Sequence, residues 1–263
     1  EIITFLYDKF KDKIDINLQN RNGDSPFMNA TNNQNIEIFK FLYDKFKDQI
    51  NINLQNAESY SIFMKAADKQ NVELITFLYK HFKDQIDIDL RNKNGDTAFM
   101  LAANNQNVEI FKFLYEKFPN KINFNLTNKE NYTIFMVAAN NPNVEIITFM
   151  YEHFKNQINI NLTNKHGNTA FMSAVQKSNL EVIKYLHNTC KDKIDINKQN
   201  KYGDTALITA AWNSLIEIVQ FLCNTEFKDT ININLKNMNH ETALMIAQKQ
   251  KKADIEQFLL NFL

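Results

Sequence analysis

Apolar and polar positions follow two rhythms that take turns along the chain. Residues 14–18, Ile-Asp-Ile-Asn-Leu, alternate strictly, which predicts a short extended arm. Ala98-Phe99-Met100-Leu101-Ala102-Ala103 is a compact apolar run of about two helical turns. A polar gap such as Asn104-Asn105-Gln106 follows, and then a longer helix that is apolar on more than one face and ends near Phe46, Phe82, Phe118 or Phe154. Ahead of each first helix stands a tight-turn signal, Asn22-Gly23-Asp24 in its first occurrence. A Ser or Thr then offers a side-chain oxygen to the first turn, at Ser25, Ser61, Thr97, Thr133, Thr169, Thr205 and Thr242. Asn35, Asn71, Asn107, Asn143 and Asn179 are expected to cap the second helices. Glu37, Glu73, Glu109, Glu145, Glu181 and Glu217 in their first turns favour the helix dipole.

The pattern is periodic. Phe5-Leu6-Tyr7 recurs at Phe41, Phe77, Phe113, Phe149, Tyr185 and Phe221 in steps of 36 residues, and Phe258 follows after 37, one residue being added around Thr225 to Lys228. Phased on the turn, the units are 21–56, 57–92, 93–128, 129–164, 165–200 and 201–237. A half unit at 1–20 precedes them, and a shortened one at 238–263 follows. The four glycines, Gly23, Gly95, Gly167 and Gly203, share one turn register, in which the other units carry Ser59, Asn131 and His240. Ala30, Ala66, Ala102, Ala138, Ala174, Ala210 and Ala247 hold a second register, as expected where backbones approach closely. One such helix pair cannot bury its apolar surface alone, so neighbours must stack.

This unit resembles the ankyrin repeat, and the likeness runs the length of the chain. Its carriers are Gly95-Asp96-Thr97-Ala98-Phe99, the pair Ala102-Ala103, and Glu109-Ile110-Phe111. Three departures stand out: the longer period, Met or Ile where the family has His after the Leu, and a Phe-Lys-Asp-Gln-Ile-Asn connection in place of Gly-Ala-Asp. The resemblance implies an all-α repeat fold, an ankyrin-type α-solenoid with short β-hairpin-like turns between helix pairs. It also implies that a partner protein meets the turn tips and the solvent side of the first helices, on a concave face. Carried over by register, the contact candidates are Tyr60, Tyr132, His166, Tyr202, Asp204, Trp212 and Met238, of which Tyr202, Trp212 and Met238 fall in adjacent units.

Composition narrows the function further. Thirty basic side chains balance thirty acidic ones without blocks of like charge, so no nucleic-acid partner is expected. The longest stretch without charge, Asn131 to Val144, is 14 residues with four Asn, too short and polar to span a bilayer. Two cysteines, Cys190 and Cys223, replace apolar residues and point to core filler in a reducing, cytoplasmic setting. The glycines sit only at turn tips, which excludes phosphate-cradling loops and the Gly-x-Ser-x-Gly elbow. His81 and His153 lie two units apart, too far to share a metal. No cofactor is expected. One methionine in most first helices, Met28 through Met245, reads as inward packing. The 40 asparagines, with abundant Lys, Ile and Phe, fit a low-GC genome.

The reading is thus a monomeric, non-catalytic scaffold. Two alternatives stand beside it. Glu1 falls inside a second helix with no initiator Met, so the chain could be part of a larger enzyme or channel. Units 57–92 and 129–164 share Glu-x-Tyr turns that 21–56 and 93–128 lack, and this alternation at 72 residues would suit a repeating cytoskeletal partner.

Overall fold

A computed structural model describes the chain except Glu1, Gln34, Asn35, Gln106, Asn107, Asn120 and Leu263, and for Ile2, Asn32 and Asn33 the backbone alone. The caps expected at Asn35 and Asn107 therefore lie outside the described residues. The described residues form α-helices and three short 3-10 segments, with no strand and one isolated β-bridge, Thr127 to Thr133. None of the helices is long and apolar enough to cross a membrane among the described residues.

The chain divides into two compact units, one of residues 1–102 and 109–121 and the other of 103–108 and 122–263. The first is built from α1 (Ile2–Phe10), α2 (Pro26–Asn29), α3 (Ile36–Phe46), α4 (Ile62–Asp68), α5 (Val72–Phe82) and most of α6 (Ala98–Asn104) and α7 (Val108–Lys117). The recurrent Phe-Leu-Tyr triplet explains how its second helices interlock. Tyr7 packs edge-on against Phe41 and Phe46, Tyr43 against Phe77 and Phe82, and Tyr79 against Phe113 and Phe118, with ring centroids 5.5 to 5.9 Å apart. Each edge-to-face pair adds about 0.5–1.5 kcal/mol beyond its buried area. On α1, Ile3, Phe5, Leu6 and Phe10 are exposed.

The second unit stacks α8 (Ile134–Asn140), α10 (Ala170–Gln176), α12 (Ala206–Trp212) and α14 (Ala243–Lys249) in file. Their partners are α9 (Val144–Phe154), α11 (Leu180–Cys190), α13 (Ile216–Asn224) and α15 (Ala253–Phe262). Ala138, Ala174, Ala210 and Ala247 are wholly buried along the file, as close backbone approach requires. In α11, His187 takes the place of the triplet Tyr and packs edge-on to Phe221 and Phe227.

Every turn-register residue has a positive φ, from Ser59, Asn131 and His240 near 60° to Gly95 and Gly167 at 81°. All seven Ser or Thr hydroxyls accept the backbone N–H three residues on, Ser25 from Met28 and Thr242 from Met245 being the outer cases. Asn71 and Asn143 cap their helices as expected. Asn179 does not: its Nδ2 donates to the Ala139 carbonyl at 3.0 Å, since the last carbonyls of α8 have no partner within their own helix.

A second left-handed position was not foreseen, because no glycine marks it. Gln70, Ser178, Ser214 and Lys251, just after the first helices, have φ of 56° to 62°. The residue after each donates its N–H back to the register alanine, as Asn71 to Ala66 and Leu215 to Ala210. Met28, Met64, Met100, Met136 and Met172 are buried as expected, whereas Met245 is exposed, because no described helix covers that side of α14.

Candidate functional site

The largest exposed apolar side chains of the second unit converge at the tip preceding α12 and at the far end of that helix. Asn200 organises the tip, where its Oδ1 accepts the N–H groups of Tyr202 and Asp204 at 2.8 and 3.0 Å. Its Nδ2 donates to Asn168 Oδ1 in the preceding turn at 2.9 Å. Gly203, with φ 76°, turns the chain so that Tyr202 points outward, and the Tyr202 carbonyl accepts the N–H of Met238 in the next tip at 2.9 Å. Thr205 then starts α12, which carries Trp212 in its last position. Tyr202, Trp212 and Met238 are 54, 52 and 71% exposed, unusual for side chains of this size.

Between tip and helix lies an open groove of about 320 Å³, lined by His166, Asn168, Gln176, Tyr202, Asp204, Thr209 and Trp212 among others. His166 stacks on the Tyr202 ring and places Nδ1 3.0 Å from its hydroxyl. Asp204 is half-buried. That burial raises its carboxyl above the ordinary range, and Glu241 adds to the effect, while a hydrogen bond from Asn237 opposes it. The structure therefore brings four of the sequence candidates, His166, Tyr202, Asp204 and Trp212, to one groove, with Met238 in the next tip joined to Tyr202 through the backbone.

The other two stand apart from this cluster. Tyr60, in the first unit, is half-buried, and burial raises its phenol, which is hydrogen-bonded to Asn92. Tyr132 is half-buried with its N–H held by Asn128. Thr209 was missed because its register residues, Lys65 and Leu101 among them, share no chemistry. Exposed Met245, on α14, would have needed knowledge of what covers that helix.

Both cysteines are buried, and burial pushes their thiols up to about 11 at Cys190 and about 12 at Cys223, away from the thiolate that reacts. Among the described residues no group of three or more His, Cys, Asp or Glu is placed to hold a metal ion. His81 is lodged against Tyr43 and Phe77, and His153 binds the Phe149 carbonyl of its own helix.

The family model for ankyrin repeats (3 copies) matches residues 1–90, 46–128, 80–164, 118–200, 135–237 and 189–262. No curated protein sequence matches the chain. Among solved structures, one similar chain comes from the Bd0816 predatory endopeptidase of Bdellovibrio bacteriovorus in complex with immunity protein Bd3460. It is 28% identical with TM-score 0.62, over 76% of this chain and 96% of that one. The ankyrin repeat domain of Bcl-3, a member of the IkappaB protein family, is 20% identical with TM-score 0.67, over 90% of this chain and 100% of that one. The ankyrin repeat protein EF0377 is 23% identical with TM-score 0.63, over 75% and 96%. Turn, cap, alanine register and family match agree, and the chain belongs to the ankyrin repeat family, a generally non-catalytic group that serves as a protein-protein interaction module.

Proposed function

We propose that this chain is a non-catalytic, cytoplasmic scaffold that binds a partner protein through its turn tips and the exposed side of its first helices. In this reading the repeats are bounded at 21–56 and onward through 201–237 and 238–263, and Tyr202, Trp212 and Met238 anchor the partner, with His166 and Asp204 beside them. Tyr60 and Tyr132 are secondary contacts at other tips. The observation that carries it is the exposure of three large side chains on two successive tips and the helix between them, in a fold whose other aromatic and aliphatic registers are mostly buried. Trp and Tyr are the residues that most often dominate binding energy. A chain 28% identical to this one comes from a complex of two proteins, which suits a binding role.

The test is capture from cell extract by the whole chain and by the Y202A/W212A/M238A variant, with circular dichroism confirming that the variant keeps its helices. Proteins held by the first and released by the second support the reading. An identical set on both refutes the anchor.

A further inference from the structure

Asp204 is an acid whose expected counter-charges are missing from this chain. Its register is occupied by Asp24, Tyr60, Asp96, Tyr132, Asn168 and Glu241 in the other units, and two of these show how the fold neutralises an acid there. Asp24 is met by Lys65 Nζ at 2.8 Å, from the first helix of the following unit. Glu241 is met by Lys249 Nζ at 2.6 Å, from the end of its own first helix. Even the neutral Asn168 is closed in the second manner, donating to Gln176 Oε1 at 3.2 Å.

Both sources fail at Asp204. The position equivalent to Lys65 in the next unit is Ile246, wholly buried, and the position equivalent to Lys249 is Trp212. Among the described residues no Lys or Arg lies within ion-pair distance of Asp204, and the charged group that acts on it is Glu241, of the same sign. A half-buried carboxylate without a cation is unfavourable, and here one wall of its groove is an exposed indole. An indole face attracts cations, and Arg most readily, because its guanidinium can lie flat on the ring while its N–H groups reach a carboxylate.

Resting on the docking site proposed above, we infer that the groove beside Trp212 takes the side chain of an arginine or lysine from a basic segment of the partner, with Asp204 as its counter-charge and the Trp212 indole as the surface it lies on. The His166–Tyr202 pair closes the opposite wall and holds the Tyr202 ring in place. Thr209, at the Lys65 register of this helix, leaves the floor uncharged.

The experiment selects a phage-displayed library of random peptides on the whole chain, with counter-selection on W212A. Enriched peptides are then synthesised with each Arg replaced by citrulline and each Lys by norleucine, and titrated against wild type and D204N. D204N is a safe variant, because Asn168 already fills this register and accepts the amide of Asn200 from the following turn, as Asp204 accepts that of Asn237. The expected result is peptides rich in Arg or Lys whose affinity falls about tenfold on D204N and on neutral replacement, the loss typical of a charge-assisted hydrogen bond. Peptides that need Trp212 but carry no basic residue, or basic ones that bind D204N as well as wild type, overturn the inference and leave the docking site standing. No enrichment over W212A overturns both.

Discussion

Replacing Asn141 with alanine should cost more than any other single polar substitution outside the caps. In four other units the first helix is followed by a left-handed residue, Gln70, Ser178, Ser214 or Lys251. Asn141 precedes Pro142, whose ring fixes φ near −65°, so that ending is closed to it. The chain leaves α8 extended instead, with Asn141 at φ −83° and ψ 133° and its N–H on the Ala138 carbonyl. This turns the 3%-exposed side chain inward, where Nδ2 meets the Asn104 and Asn105 carbonyls at 2.9 and 2.8 Å and Oδ1 accepts the N–H of Asn143 at 2.9 Å. Three well-formed bonds at about 1 kcal/mol each, less the rehydration of carbonyls that reach solvent, give a loss of about 2–3 kcal/mol. For a chain of this length that lowers Tm by roughly 5–10 °C. Urea unfolding followed by circular dichroism measures it, with exposed Lys177→Ala in the same register as the control, expected within about 0.5 kcal/mol of wild type. N141D keeps the acceptor but turns a carboxylate toward carbonyl oxygens and should be at least as damaging. An N141A variant as stable as the control would show that the amide does not hold these helix ends.

The turn register yields a reciprocal pair: Gly203→Ala, with φ 76° and a Cβ only 2.8 Å from the Met238 nitrogen, should lose at least about 1–2 kcal/mol, while Ser59→Gly, already at φ 61°, should gain about 1 kcal/mol. Denaturant midpoints compare the two directly. Cys190 and Cys223 should resist a thiol reagent in the folded chain and react only as urea opens it. Prompt labelling at neutral pH would contradict their burial and raised pKa values of about 11 and 12. Asp204→Asn should stabilise the free chain at neutral pH by less than about 1 kcal/mol, since solvent screens a half-exposed group. A carboxyl whose folded pKa is raised contributes fully below its unfolded value and loses that contribution as pH climbs through the folded one. The D204N advantage should therefore vanish in acid and grow above the ordinary carboxylate range, and a pH-independent difference would refute the assignment.

Helices, hydroxyl caps and the alanine register were legible because each rests on a residue type whose physics is local and recurs every 36 residues. The left-handed ends of the first helices were not. Their residues are Gln, Ser, Ser and Lys, chosen for exposure, and the conformation is imposed by the N–H of the next residue closing on the alanine carbonyl. Asn179 was misread for a related reason: an amide both accepts and donates, and spacing cannot say whether it caps the helix ahead or the one behind. At the groove, the register supplied Tyr202, Asp204 and Trp212 as candidates. That Asp204 lacks a cation appears only when its position is compared in space with Asp24 and Glu241.

Asparagine abundance reads as genome bias, yet a subset does structural work that another small polar residue could not do. Asn17 Nδ2 donates to the Gln49 carbonyl at 2.7 Å while its Oδ1 accepts the N–H of Asn51 at 2.9 Å. Asn53 repeats this with Gln85 and Asp87, Asn125 with Gln157 and Asn159, and Asn197 with Thr230 and Asn232. A side-chain amide has the same donor and acceptor as a peptide group, so each of these residues bridges two arms as a strand would, without a strand forming. Asp89 occupies the same register with no N–H to give and instead faces Lys121 at 3.9 Å, a weak exposed pair. The arms thus carry one chemistry at one register, and changing it weakens the stack. Immediately before each Ser or Thr cap, by contrast, the tips carry Asp, Tyr, Asp, Tyr, Asn, Asp and Glu in succession, four chemistries at one register. It is at this register that Asp204 stands beside Trp212 with the Asn237 amide, and no cation among the described residues, to meet it.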